Sequence, residues 1–162
     1  MQNRLRKIKD VKQVWLADDA TGAGKIESLK SWWDSLVIEG EKCGYEVNAS
    51  KSWLISKSED IQTYAKQVFN QSGIKFTTSG KRHLGACIGS HEFRNEYVNK
   101  KVEDWCNEMK QLSSFAIDEP QAAFAAFTHG EVHRYSYFLR TIPGMEVCLQ
   151  PLDALIDDMF IL

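Results

Sequence analysis

The spacing of the hydrophobic residues changes near Gly89, and this change limits the folds that the chain can adopt. Before Gly89, short apolar runs alternate with helical patterns, which is typical of strands joined by helices. After Gly89, apolar residues recur every three or four positions, and this spacing predicts helices alone. We therefore expect an α+β protein with a mixed region at residues 1–89 and a helical region at residues 90–162.

The mixed region is predicted to contain two helices and several short strands. Val11 to Leu16 and Trp53 to Ile55 are rich in β-branched and aromatic residues, and both predict strands. Ser58 precedes two acids and predicts a helix start, since its oxygen can accept from free N–H groups. The other predicted elements are a turn at 17–24, a helix from 25 to about 40, and two short strands or a hairpin at 74–77 and 84–88.

The helical region begins with one long amphipathic stripe. Its members are Phe93, Tyr97, Val98, Val102, Trp105, Cys106, Met109 and Leu112. Pro120 is expected at the first position of the next helix, whose apolar side includes Phe124, Phe127, Tyr135, Phe138 and Leu139. Pro143 and Gly144 are expected to end that helix, and Pro151 is expected near the start of the last one.

The bulk composition is that of an ordinary globular chain, with 162 residues and a formal net charge of −2. This charge shows no overall basic excess that would indicate a nucleic-acid-binding domain. The cysteines form no C-x-x-C pair, and the basic N-terminus lacks the apolar core of a secretion signal. We expect an intracellular protein, cytoplasmic or nuclear, with free buried thiols and no membrane partner.

Asp18 and Asp19 are adjacent carboxylates that follow the first predicted strand. Two such charges about 4 Å apart repel by about 4 kcal/mol at an effective dielectric constant of about 20. A divalent cation would offset this repulsion, and hard cations such as Mg²⁺ or Mn²⁺ prefer carboxylate oxygens. The alternative is an exposed turn in which water separates the two charges.

Three motifs follow one another along the chain: Trp15 to Asp19 (WLADD), Gly44 to Ser52 (GYEVNASKS) and Lys81 to Gly85 (KRHLG). Taken in order, they resemble motifs of the reverse transcriptases of invertebrate retroelements. They resemble, in turn, the aromatic-x-Asp-Asp strand-turn of that family, its Gly-loop-Asn-x-x-Lys element and the hairpin that holds the primer end. The resemblance implies a partial palm of short antiparallel strands and two helices at 1–89, followed by a helical thumb at 90–162.

The resemblance also implies roles in RNA-directed DNA polymerisation, which is nucleotidyl transfer by a two-metal mechanism. Asp18 would bind Mg²⁺ or Mn²⁺, with Asp19 in support. Lys51 would lie near the phosphates of the incoming nucleotide and protonate the leaving pyrophosphate. A solvated loop lysine is the plainer interpretation of Lys51.

The remaining implied roles concern the RNA or DNA template-primer. Leu84 and Gly85 would shape the primer grip, although Leu84 could equally pack in the core as part of a strand. The thumb lysines Lys100, Lys101 and Lys110 would touch the duplex backbone, or else form a solvated helix face.

Departures from the family pattern bear on activity. Leu16 stands where the family usually has tyrosine. The family also uses a carboxylate from an earlier strand and a basic fingers region, and Asp10 is too close to Val11 to lie on a separate strand. We therefore expect the chain to be inactive alone, with an exposed edge along Val11 to Leu16 that recruits the missing fingers and palm segment or aggregates.

The rival hypothesis is a non-enzymatic retroelement relic that acts as a nucleic-acid-binding or protein-interaction module. Other motifs are weak. Thr21 to Ile26 fails the phosphate-loop pattern twice. His129 with His133, and His83 with Cys87 and His91, have spacings compatible with zinc but fit helix-surface histidines and a buried thiol better.

Overall fold

The computed structural model describes Leu5, Ile8 and residues 10–160, without the side chain of Phe160. It is α+β, as expected, and it forms two compact units, Met1–Thr78 and Ser79–Leu162. The basic N-terminal segment lies largely outside the described residues. None of the described helices combines the length and the apolar character that crossing a membrane requires.

The first unit consists of strands and helices in alternation. Its elements are β1 (Val11–Leu16), β2 (Asp19–Gly24), α1 (Ile26–Glu41), a 3₁₀ turn (Ala49–Lys51), β3 (Trp53–Ile55), α2 (Glu59–Val68) and β4 (Lys75–Thr77). The predicted strands and both predicted helices are confirmed. Ser58 caps α2 as expected, because its Oγ accepts from the N–H of Ile61 at 3.4 Å.

The segment predicted as a turn at 17–24 is mostly a strand, so this prediction is wrong. β2 pairs with β1 in antiparallel register, from Leu16 opposite Asp19 to Val11 opposite Gly24. Its small residues allow close packing, since a Cβ on Gly22 would lie 3.1 Å from the ring of Trp32. Along the edge away from β2, β1 pairs with no strand of the described residues, as the sequence led us to expect.

β3 and β4 form a parallel pair, which corrects the expectation of antiparallel strands throughout. A parallel pair needs a crossover, and α2 supplies it. Leu54 of β3, Ala65 of α2 and Phe69 form a small buried core there. A second small core contains Leu5, Trp32 and Leu36, with Trp15 packed edge-on against Trp32 at 6.4 Å between ring centroids.

The second unit is one hairpin followed by helices. Its elements are β5 (Gly80–His83), β6 (Ala86–Gly89), α3 (His91–Ala116), α4 (Pro120–Ala126), a π-helical turn (Phe127–Glu131), α5 (Val132–Thr141) and α6 (Glu146–Phe160). By its contacts, the hairpin β5–β6 belongs with the helices, although the sequence grouped it with the mixed region. Its strands pair with each other, whereas β4 pairs with β3.

Trp105 is the centre of the core of the second unit. Its side chain is 1% exposed, and its ring lies 5.0 Å from that of Tyr135 and 4.7 Å from that of Phe138. The predicted stripe along α3 is confirmed, because Val98, Val102, Trp105 and Met109 are buried and the other members pack around them.

Two helix predictions in this unit need correction. Phe124 and Leu139 are expected on the apolar side of their helix, but they are 60% and 54% exposed. Pro151 lies inside α6, which begins five positions earlier at Glu146.

The other helix boundaries agree with the predictions. Pro120 occupies the first turn of α4. The chain leaves α5 after Thr141, before Pro143 and Gly144.

Candidate functional site

The acidic pair lies at the tip of the β1–β2 hairpin. Ala17 and Asp18 form a two-residue loop, and Asp19 is the first residue of β2. Ala17 has a positive φ of 51°, a backbone conformation that is unfavourable for any residue with a Cβ. Both aspartates are exposed, so water or a cation can reach their carboxylates.

Tyr45 fastens this tip to the segment that follows α1. Its hydroxyl donates to the carbonyl oxygen of Asp18 at 2.6 Å, across 27 positions of sequence. Partial burial, followed by the negative charges of Asp18 and Asp19, raises the pKa of the Tyr45 phenol. The phenol therefore remains a hydrogen-bond donor beside the acidic pair, a role that sequence reasoning missed.

Asn48 shapes the loop that carries Lys51. Its Oδ1 accepts from the backbone N–H of Lys51 at 3.1 Å and from the Ser50 hydroxyl at 2.8 Å, which caps the 3₁₀ turn. The Asn-x-x-Lys spacing is thus a capped turn that leaves Lys51 exposed.

The chain was compared with protein-family models, curated proteins and solved structures. None of them matches. The resemblance to reverse transcriptases therefore rests on the sequence motifs alone.

Two carboxylates at a hairpin tip fit part of a site for a hard cation. Mg²⁺ takes one or two protein carboxylates and completes its shell with water and substrate phosphates, and both aspartates are open to solvent. Across the described residues there is no cluster of three or more His, Cys, Asp or Glu side chains able to hold a metal ion. Asp18 and Asp19 are thus an exposed pair of carboxylates with no third candidate ligand clustered beside them in the described part of the chain.

The histidine groups weighed for zinc form no such cluster among the described residues. Cys87 is a buried thiol, as expected, and its pKa is raised by burial. A raised pKa leaves little of the nucleophilic thiolate at neutral pH. Cys43 is exposed, which corrects the expectation that all four thiols are buried.

Leu84 and Gly85 form the two-residue loop of the β5–β6 hairpin, so Leu84 is not part of a strand or of the core. Both have positive φ values, 49° and 82°, as type I′ turns require. The Tyr137 hydroxyl donates to the Leu84 carbonyl, and the Tyr97 hydroxyl donates to the Gly85 carbonyl at 3.0 Å. Two helices therefore hold this loop.

The three thumb lysines do not share one face of α3. Lys101 and Lys110 are nine positions apart, which places them about 180° apart around an α-helix. Lys101 is also paired with Asp104 at 3.1 Å, whereas Lys100 and Lys110 are exposed. No single flat duplex surface can be contacted by all three.

Proposed function

We propose that this chain supplies part of the active site of an RNA-directed DNA polymerase of the reverse-transcriptase type. Asp18 is the metal ligand of the proposal, Asp19 supports it, and Lys51 serves the leaving group. Mg²⁺ or Mn²⁺, when bound there, would activate the primer hydroxyl and stabilise the leaving pyrophosphate.

The contact between Tyr45 and Asp18 carries this proposal. Tyr45 belongs to the second motif and Asp18 to the first, and their 2.6 Å hydrogen bond joins the two motifs within one compact unit. A chance resemblance in sequence gives no reason for separate motifs to meet. The third motif supports the proposal less directly, by forming a hairpin with Leu84 and Gly85 at its tip.

The side chains and backbone groups of this proposal are chemically suited to their roles. The exposed ammonium of Lys51 can reach a phosphate and donate a proton to it. Leu84 and Gly85 present a narrow, rigid tip on which a primer end could rest. Further carboxylates and a fingers region would come from another segment, so we expect no polymerisation by this chain alone.

Cation binding at the hairpin tip is the first test. We expect Mn²⁺ to broaden the amide resonances of Ala17 to Ala20 and Tyr45, and Asp18→Asn with Asp19→Asn to abolish the broadening. The matched control is Asp157→Asn with Asp158→Asn, which removes a second exposed Asp-Asp pair from α6. Equal broadening near Asp18 and Asp19 and near Asp157 and Asp158 would mean that Mn²⁺ binds any exposed acidic pair. That result would refute a specific metal site at the hairpin tip.

Activity is the second test. Purified chain, a template-primer, labelled nucleotide and Mg²⁺ should give no incorporation above background. Incorporation that Asp18→Ala abolishes would overturn the expectation of inactivity while strengthening the role of Asp18. Incorporation that survives Asp18→Ala would count against the active site as proposed.

A protein-interaction module is the second candidate, and one observation favours it. Val14 and Leu16 lie on the same face of β1 and are 63% and 56% exposed. Exposed apolar side chains beside an unpaired strand edge promote association. Light scattering should then show concentration-dependent association that Val14→Thr with Leu16→Thr reduces. A monomer at high concentration would remove this candidate.

A further inference from the structure

An open cavity of about 380 Å³ lies within the second unit, between the tip of the β5–β6 hairpin and the helices α3 and α5. Cationic and aromatic side chains line much of it, among them Arg82, Lys101, Arg134, Tyr97, Tyr137 and Trp105. No carboxylate is among the described residues of this lining, although the chain has a net charge of −2. The cavity therefore combines cationic side chains with flat apolar walls.

The aromatic wall is held in place before any ligand arrives. The Tyr97 hydroxyl donates a hydrogen bond to the Gly85 carbonyl, and the Tyr137 hydroxyl donates one to the Leu84 carbonyl. The Tyr97 ring also stacks on Phe138, with centroids 6.0 Å apart and planes 6° apart. A ring that cannot rotate loses little entropy when a planar ligand packs on it, which favours binding.

The cations of the lining differ in their availability. Arg134 is held between Glu108 and Glu131, at 2.7 Å and 2.8 Å. Lys101 has only an exposed partner, Asp104, and such a pair is weak. Arg82 is exposed and has no ion pair within the described part of the chain. Arg82 and Lys101 are thus the charges that a ligand can use.

We propose that this cavity binds a nucleotide, with the phosphate on Arg82 and Lys101 and the base against the tyrosine wall. A guanidinium can bind a phosphate through two parallel hydrogen bonds, and aromatic side chains stack on any base. The site requires neither a metal ion nor Asp18. Gly85 and Lys101, which line the cavity, also have roles in the resemblance to polymerases, but nucleotide binding here does not depend on the metal site of that proposal.

The binding can be measured with adenosine monophosphate and the indole resonance of Trp105. Trp105 is the only one of the five tryptophans in the second unit, and it lines the cavity. In a buffer with EDTA, which removes metal ions, adenosine monophosphate should shift the Trp105 indole resonance in a saturable way. Adenosine alone and inorganic phosphate alone should each bind at least roughly tenfold more weakly than the nucleotide.

Arg82→Gln should weaken nucleotide binding roughly tenfold, because it removes a charged donor from an exposed position that the fold does not need. Arg140→Gln is the matched control, since Arg140 is exposed on α5 and does not line the cavity. It should leave the affinity unchanged. Equal affinities for the nucleotide and adenosine, no effect of Arg82→Gln, or no shift of Trp105 would overturn the proposal.

Free nucleotides and the ends of single strands share the same base and phosphate. A titration with 5′-phosphorylated oligothymidylate and with thymidine monophosphate separates these sources. Tighter binding of the oligonucleotide that still requires Arg82 assigns the site to strand ends, and equal binding assigns it to free nucleotides. Loss of Asp18 should change neither result, which keeps this test independent of the polymerase proposal.

Discussion

The hairpins β1–β2 and β5–β6 have loops of the same length, but the loops lie in different surroundings. Each has a two-residue loop that begins with a non-glycine residue at positive φ, Ala17 in β1–β2 and Leu84 in β5–β6. The first tip presents carboxylates to solvent and is held by one hydroxyl, from Tyr45. The second tip is held by two hydroxyls and adjoins a packed helical core.

This difference separates two ways of using a tight turn. The first tip keeps its carboxylates accessible to solvent, and its strained residue is secured by a single contact. The second tip is held by two hydroxyls, so its backbone carbonyls and the rings that bind them form fixed walls. Reactive groups belong on the first kind of turn, and recognition surfaces on the second.

The largest expected effect tests the core behind the second tip. Trp105→Ala should destabilise the protein by about 3–5 kcal/mol, because it empties a site whose side chain is 1% exposed. Urea unfolding followed by circular dichroism measures the change. Trp53→Ala is the control in the first unit, where the indole is 37% exposed, and it should cost clearly less than Trp105→Ala because less apolar area returns to water. Similar costs for the two variants would contradict the contrast between the surroundings.

Exchanging glycine and alanine at the two loops should give effects of opposite sign. Gly85→Ala should destabilise by about 1–3 kcal/mol, since φ is 82°, a backbone conformation that residues with a Cβ rarely adopt. Ala17→Gly should instead stabilise by up to about 1 kcal/mol, because glycine relieves the positive φ. Thermal unfolding of both variants decides this, and effects of the same sign would refute the interpretation.

Removal of single hydroxyls compares the two tips directly. Tyr137→Phe should cost about 1 kcal/mol, since it leaves the Leu84 carbonyl without the donor that α5 supplies. Tyr45→Phe should cost about as much, because Asp18 and Leu84 are both exposed and water can partly replace either phenol. Chemical denaturation compares the two variants. A clearly larger cost for one variant would contradict this expectation and identify the tip that its hydroxyl holds more firmly.

The smallest effect concerns alkaline pH. The folded pKa of Tyr45 is raised, so its protonated phenol stabilises the fold below about pH 10, and this contribution disappears as the pH rises through the folded pKa. The difference between the ultraviolet titrations of the wild type and Tyr45→Phe isolates this phenol. Asp18→Asn with Asp19→Asn should lower its pKa partway toward the ordinary value, since burial, the largest cause, remains. No change would show that the two charges do not act on Tyr45.

The elements that were predicted correctly share a local signal. The stripe of α3 follows from apolar residues at helical spacing, and Ser58 and Pro120 mark helix starts through groups within a few positions. The place of Asp18 and Asp19 directly after a strand follows from neighbouring residues too, whereas their metal role stays a prediction. Such features depend on neighbours along the chain.

The missed features depend on contacts between distant residues. β2 was taken for a turn because its alanine, threonine and glycines show no apolar alternation, and its place is set by β1 and Trp32. Tyr45 meets Asp18 across 27 positions, and Tyr137 meets Leu84 across 53. The sequence gives one hint, since a Gly44 at positive φ after α1 turns the chain back toward the hairpin.

The π-helical turn at Phe127–Glu131 has a consequence for how this molecule tolerates changes of length. A π turn holds one more residue than an α turn. The extra residue is therefore taken up within the turn, and the side chains of α4 and α5 keep the directions that an uninterrupted helix without it would give them. Loss of one residue there, such as Gly130, whose surroundings are open, would restore ordinary winding without rotating either flank. This turn is therefore a place where the gene can lose a codon while every side chain downstream keeps its direction.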